Sequence, residues 1–147
     1  MATGQDTPDV QSSQLRDDWL ERLRQLISQV TEWAHQMDWS TREIEKSLQD
    51  TEIGKHSVPA LLLQQDTVRV LLEPIARSAP GAEGVVDLYL MPAYDDIASL
   101  YYSNGAWQLH YMFPQDLTVA TIREAKSTAL SRESLQNVLA AMKENAG

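Results

Sequence analysis

Residues 97–113 read IASLYYSNGAWQLHYMF, and the middle of that stretch decides the fold class. Asn104-Gly105 suits a two-residue type I′ turn, in which both central residues need positive φ. With that turn Ser103 pairs with Ala106, and the register of two antiparallel strands is set. Tyr102 then opposes Trp107, Leu100 opposes Leu109 and Ala98 opposes Tyr111, a core face of aromatic and aliphatic pairs. The other face carries Tyr101 with Gln108, Ser99 with His110 and Ile97 with Met112.

Working outward, residues 85–91 (VVDLYLM) are apolar on both faces apart from Asp87 and read as a central strand stopped by Pro92. Ala79-Pro80-Gly81 and Gly84 mark the loop before it. Residues 60–63 and 68–75 are short apolar or alternating runs separated by Gln64-Gln65-Asp66. In the second run Val68, Val70 and Leu72 share one face, with Arg69, Leu71 and Glu73 on the other. Beyond the hairpin, Pro114 ends the sheet. Residues 117–129 read either as a last strand at Leu117-Thr118-Val119 or as a helix start near Thr121 to Glu124. Residues 131–145 form a terminal helix with Leu135, Val138, Leu139 and Met142 on one side.

At the other end, residues 1–13 are polar and read as a disordered tail, leaving 14–147 as one domain. A long helix is expected over 15–37. Trp19, Leu23, Leu26, Val30, Trp33 and Met37 recur at alternating spacings of four and three, and Asp17, Asp18 and Glu21 crowd the first turn. Ser40-Thr41-Arg42-Glu43 has the form of a capping box, with Trp39 and Ile44 placed as a hydrophobic staple. A second helix is therefore expected from Thr41 to about Ile53, ended by Gly54. Two N-terminal helices, a largely antiparallel sheet of about five strands and a C-terminal helix packed on that sheet make an α+β fold.

Composition narrows function mainly by exclusion. The 147 residues hold 12 Lys+Arg against 21 Asp+Glu, a net charge of −9, with 43% apolar residues and no cysteine. Disulfides, thiolate metal sites and cysteine nucleophiles are ruled out. An acidic chain repels phosphates, so no nucleic-acid partner is expected. No apolar run approaches the roughly 18 to 20 residues that cross a bilayer, and Met1 to Gln14 has no signal-peptide core, so no membrane and a cytoplasmic location are expected. Residues 57–118 carry Asp66, Glu73, Glu83, Asp87, Asp95, Asp96 and Asp116 against only Arg69 and Arg77. A charged partner should then be cationic and should meet the sheet region first.

Sequence motifs of catalysis are scarce. There is no HExxH, no phosphate-binding Gly-rich loop and no G-x-S-x-G elbow, and His35 and His56 read as surface residues. Asp87, Asp95, Asp96 and His110 are the candidates for an oxygen-plus-imidazole cluster able to hold a divalent ion or transfer protons. They underlie one functional reading, a small metal-dependent or acid–base hydrolase, although Asp-Asp before a strand is ordinarily turn chemistry. Ser99 opposite His110 offers a nucleophile and base, but no oxyanion donor or orienting acid is evident. A restriction-endonuclease-like core needs an acid on one strand and Glu-x-Lys or Asp-x-Lys on the next. Only Asp87 fits, because Glu45-Lys46 and Glu124-x-Lys126 fall outside the expected strands.

The other reading is a non-enzymatic, adaptor- or chaperone-like module that binds a protein partner or forms a homodimer, with no cofactor. Trp19, Leu23, Leu26, Val30 and Trp33 are its partner-binding candidates, since their period-3.5 stripe serves either a partner helix or the chain's own sheet. In size, charge and element order the chain resembles type III secretion chaperones, which implies a protein-binding role and assigns no site residues.

Overall fold

Extended backbone alternates side chains between two faces, and here one sheet carries that alternation through hairpin after hairpin. The computed structural model describes residues 3–111 and 127–146. Helix α1 (Thr3–Gln36) is followed by β1 (Ser40–Asp50), β2 (Gly54–Gln65), β3 (Val68–Ala76), β4 (Val85–Met91), β5 (Asp95–Ser103), β6 (Ala106–His110) and β7 (Ser127–Ala129), and helix α2 (Arg132–Ala146) closes the chain. The strands form one antiparallel sheet in simple sequence order, with β1 and β7 at its edges. The fold is α+β with one leading helix and seven strands among the described residues, which corrects the expectation of two leading helices and about five strands.

The central hairpin has the expected register. Asn104 and Gly105 have φ of 53° and 80°, and Ser103↔Ala106, Tyr102↔Trp107, Leu100↔Leu109 and Ser99↔His110 are paired. The expected pairing of Ile97 with Met112, and both readings of 117–124, lie outside the described residues.

The departure from expectation is at residues 41–53. The break before them is real: Trp39 N–H donates to the Ala34 carbonyl at 2.9 Å and Asp38 N–H to that of His35 at 3.2 Å. Asp38, at φ 64°, takes the left-handed position of a Schellman cap that ends α1. Beyond the cap the backbone is strand instead of helix. Ile44 and Leu48 are four apart, a spacing that fits one face of a strand as well as one face of a helix. A short helix gains little by itself in water, whereas β1 pairs with β2 without a gap from Ser40↔Gln64 to Asp50↔Gly54. Trp39 is buried in the core beside the cap. At the other end α1 begins at Thr3, inside the stretch read as a tail, and Ser12 Oγ donates to the Glu52 carbonyl at 3.1 Å.

Strand β2 rolls in its middle. Val58 and Ala60 are buried, then Leu61 and Leu63, so the buried side switches between consecutive residues. Only from Leu61 onward does β2 pair with β3, beginning at Leu61↔Leu72. Pro59, which cannot donate to a ladder, lies in the stretch whose only strand neighbour is β1. The tip of this hairpin is tied back to the sheet: Arg77 Nε meets Asp50 Oδ2 at 3.0 Å and its Nη2 meets Glu52 Oε1 at 2.7 Å. Burial opposes the Asp50 charge, but the Ile53 and Glu52 amides and the Arg77 guanidinium outweigh it and hold the carboxyl below its ordinary range.

Both helices cover the same face of the sheet. Trp19, Leu23 and Val30 from α1 and Leu135, Val138 and Met142 from α2 join Leu63, Leu72, Val86, Leu88 and Leu100 in one buried cluster. Ser131 caps α2 reciprocally, its Oγ accepting from Ser134 N–H and its own N–H donating to Ser134 Oγ. Where α1 crosses the loop before β4, a Cβ on Gly84 would stand 2.9 Å from Trp19 Cζ3, so only glycine admits the indole.

Candidate functional site

The sheet's second face is covered by neither α1 nor α2. Register and alternation arrange it in rows that run across the strands. One row is polar: Glu73 pairs with Asp87, Asp87 with Ser99, Ser99 with His110 and His110 with Ser127. Lys46 on β1 reaches over β2 to extend it, its Nζ 3.2 Å from Glu73 Oε2 and donating to the Pro74 carbonyl at 3.1 Å. On one side runs an apolar row, Leu62, Leu71 and Tyr89, with the Tyr94 ring edge-on to Tyr89 at 5.5 Å between centroids. On the other side run Val85, Tyr101, Gln108 and Ala129. Ala60 and Leu71 are buried on this face and stand apart from the core cluster. Ile97 is 52% exposed, Tyr94 50% and Tyr101 39%.

Asp87 is the electrostatic centre of this face. Ser99 Oγ donates to its Oδ1 at 2.8 Å and Tyr89 OH to its Oδ2 at 3.1 Å. Burial first, and then the Asp87 charge and hydrogen bond, push the Tyr89 phenol well above its ordinary value, so it remains a donor. Both carboxylate oxygens are thus engaged by neighbouring hydroxyls. The Ser99 proton points at a carboxylate, which differs from the arrangement in which an imidazole takes the proton of a serine nucleophile.

The four acid–base candidates do not converge. Asp87 and His110 share the polar row, but β5 lies between their strands, about 10 Å at ordinary strand spacing. Asp96 turns to the helix side, where it accepts from Tyr111 OH and from Asn145 Nδ2 of α2, each at 2.8 Å. Burial and that hydrogen bond hold the Tyr111 phenol protonated far above its usual range. Asp95 is exposed at the irregular start of β5, opposite Leu90. Among the described residues no group of three or more His, Asp or Glu side chains is placed to hold a metal ion.

The helix candidates have a different fate. Trp19, Leu23, Leu26 and Val30 are all buried at 3% exposure or less, and Trp33 is half-buried against the same cluster. Their stripe faces the chain's own sheet, so a partner must meet another surface. The acids of the sheet region are dispersed as well. Asp66 lies in the β2–β3 turn, Glu83 in the loop before β4 and Asp95 at a strand start, while the helix-free face sets Arg42, Lys46 and Arg69 against Asp50, Glu73 and Asp87.

Lys46, Glu73, Tyr89, Tyr94 and Tyr101 escaped the sequence reading as site residues. The alternation of 68–75 already put Glu73 on the face away from Val70 and Leu72. Its pairing with Asp87 depends on a long β3–β4 connection, which carries no register information of the Asn-Gly kind. A scan against protein-family models, a search of the curated proteins and a search of solved structures each found no match to this chain.

Proposed function

We propose that this chain is a non-enzymatic protein-binding module, adaptor- or chaperone-like, that associates with a second copy of itself through the helix-free face of its sheet. The observation that carries the reading is that face's exposed Ile97, Tyr94 and Tyr101 beside a polar row whose hydrogen bonds are made internally. Exposed aliphatic and aromatic side chains gathered on one face mark an interaction surface.

Charge supports a second copy as the occupant. Two chains of net charge −9 repel each other, and on this face the charges balance, Arg42, Lys46 and Arg69 against Asp50, Glu73 and Asp87. Strands β2 to β6 offer about 24 Å by 20 Å of sheet, roughly 960 Å² over two copies, the size of weak, transient interfaces. A dimer of micromolar affinity is therefore expected, two sheets packed face to face about 10 Å apart. Sedimentation equilibrium on the wild type and on Ile97→Asp tests it. A reversible dimer in the wild type and a monomer with unchanged unfolding midpoint in Ile97→Asp is the expected result. A wild-type monomer throughout the micromolar range, or a dimer indifferent to Ile97→Asp, rejects it.

A further inference from the structure

Strand β1 is an edge of the sheet, paired with β2 along its whole length and with no strand on its other side among the described residues. An unpaired ladder of that length is a template for another strand unless something blunts it. Beside it runs a groove of about 720 Å³ between α1 and the β1–β2 hairpin. Leu20, Ile27 and Val58 supply its apolar lining, Glu43 and Glu45 its acidic wall, and Arg24 stands on the helix side. Glu43 and Glu45 alternate with Ile44 and so share one face of β1. Both are exposed, and neither has an ion-pair partner among the described residues.

A second copy is a poor occupant of this edge. Two-fold antiparallel pairing of β1 with itself must centre on a residue, because the faces have to match. Centres at Arg42, Glu43, Glu45 or Lys46 set a charge against its own copy. A centre at Ile44 opposes Glu43 to Glu45 and Arg42 to Lys46. Like charges directly opposite destabilise a pair. Registers displaced toward either end of β1 escape, but a centre at Thr41 pairs only Ser40–Arg42 of the strand, and centres from Ser47 toward Asp50 leave Glu43 unpaired.

From this we infer that the β1 edge and its groove receive an extended cationic segment of a different protein, added as a further strand. Main-chain hydrogen bonds to β1 supply the alignment, as in other β-strand additions. Lys or Arg at alternate positions of the segment oppose Glu43 and Glu45 on the groove side, and an apolar residue between them opposes Ile44. The β1 edge is a different surface from the helix-free face, so failure of one reading leaves the other standing.

The test titrates the ¹⁵N-labelled full chain with three capped peptides. One alternates lysine and valine, one alternates glutamate and valine, and one has the first peptide's composition with its lysines in a single block. Saturable shifts confined to the amides of Ser40–Asp50 and the facing residues of α1, with the alternating lysine peptide alone, are expected. The double variant Glu43→Lys, Glu45→Lys should weaken that binding at least about tenfold, the equivalent of 1.4 kcal/mol. Absent binding overturns the inference. So does equal binding of the blocked peptide, since attraction to net charge then suffices, and so do shifts on the helix-free face that ignore the double variant.

Discussion

The two faces of this sheet share one backbone and differ in what covers them. On the helix side Leu63, Val70, Leu72, Val86, Leu88 and Leu100 are fully enclosed by α1 and α2. On the other side Leu71 is buried outside the core cluster, and Ile97 and Tyr101 meet solvent. Each face nevertheless holds a tyrosine–aspartate hydrogen bond. Asp96 accepts from Tyr111, just past β6, and also from Asn145, which ties the start of β5 to the end of α2, whereas Tyr89 with Asp87 stays within the sheet. Burial on the helix side serves stability, and contact is the role we propose for the side chains the same strands carry on the other face.

The largest expected effect separates the faces directly. Leu100→Ala should cost about 3 to 4 kcal/mol, because the enclosed site cannot collapse around the lost methyl groups. Ile97→Ala, three residues away on the open face, should change stability by no more than about 0.5 kcal/mol. Urea unfolding of both variants at low protein concentration measures the contrast, and equal losses would break it.

Next comes the hairpin tip, where the rolled end of β2 is held by Arg77. Arg77→Ala leaves the Asp50 carboxylate enclosed without its cation and should cost about 3 kcal/mol. The folded-state value of Asp50 is depressed, so its contribution is complete above about pH 4 and disappears as pH falls through the folded value. Asp50→Asn should therefore be less stable near neutrality and lose stability less steeply in acid. Unfolding midpoints followed across the acid range decide this, and a parallel pH profile would refute it.

The smallest effect belongs to the open face. Asp87→Asn should cost about 1 kcal/mol, one hydrogen-bonded acceptor charge. It should also let the Tyr89 phenol ionise at lower pH, because the Asp87 charge and hydrogen bond are among the causes that raise it. In the wild type the raised Tyr89 value contributes stability that is complete below about pH 10 and is lost as pH rises through the folded value. Ultraviolet titration of Asp87→Asn against the wild type should show one of the chain's five tyrosines ionising at lower pH.

Much of the fold was legible along the chain wherever a local rule applied. Asn104-Gly105 specified a turn and hence five residue pairs, the period-3.5 stripe from Trp19 specified α1 from about Leu15 onward, and the spacing of Leu135 to Met142 specified α2. Residues 41–53 were misread because Ile44 and Leu48 satisfy both periods, and the partner that chooses between them, β2, is supplied only by the fold. The candidate site was half legible. Ser99 opposite His110 followed from the turn, but Glu73 and Asp87 met through a connection with no register of its own, and Asp96 was carried to the helix side at the irregular start of β5.

Sequence by itself therefore determined the α+β class, the buried stripe of each helix and the central register, since each rests on a periodicity or on a turn that two residues dictate. Tertiary structure decided that β1 is a strand, that both helices cover one face and neither covers the other, and that the polar row assembles from β3 to β7. These depend on which distant segments supply hydrogen-bond partners and apolar cover, and neither is encoded within reach of a single local pattern.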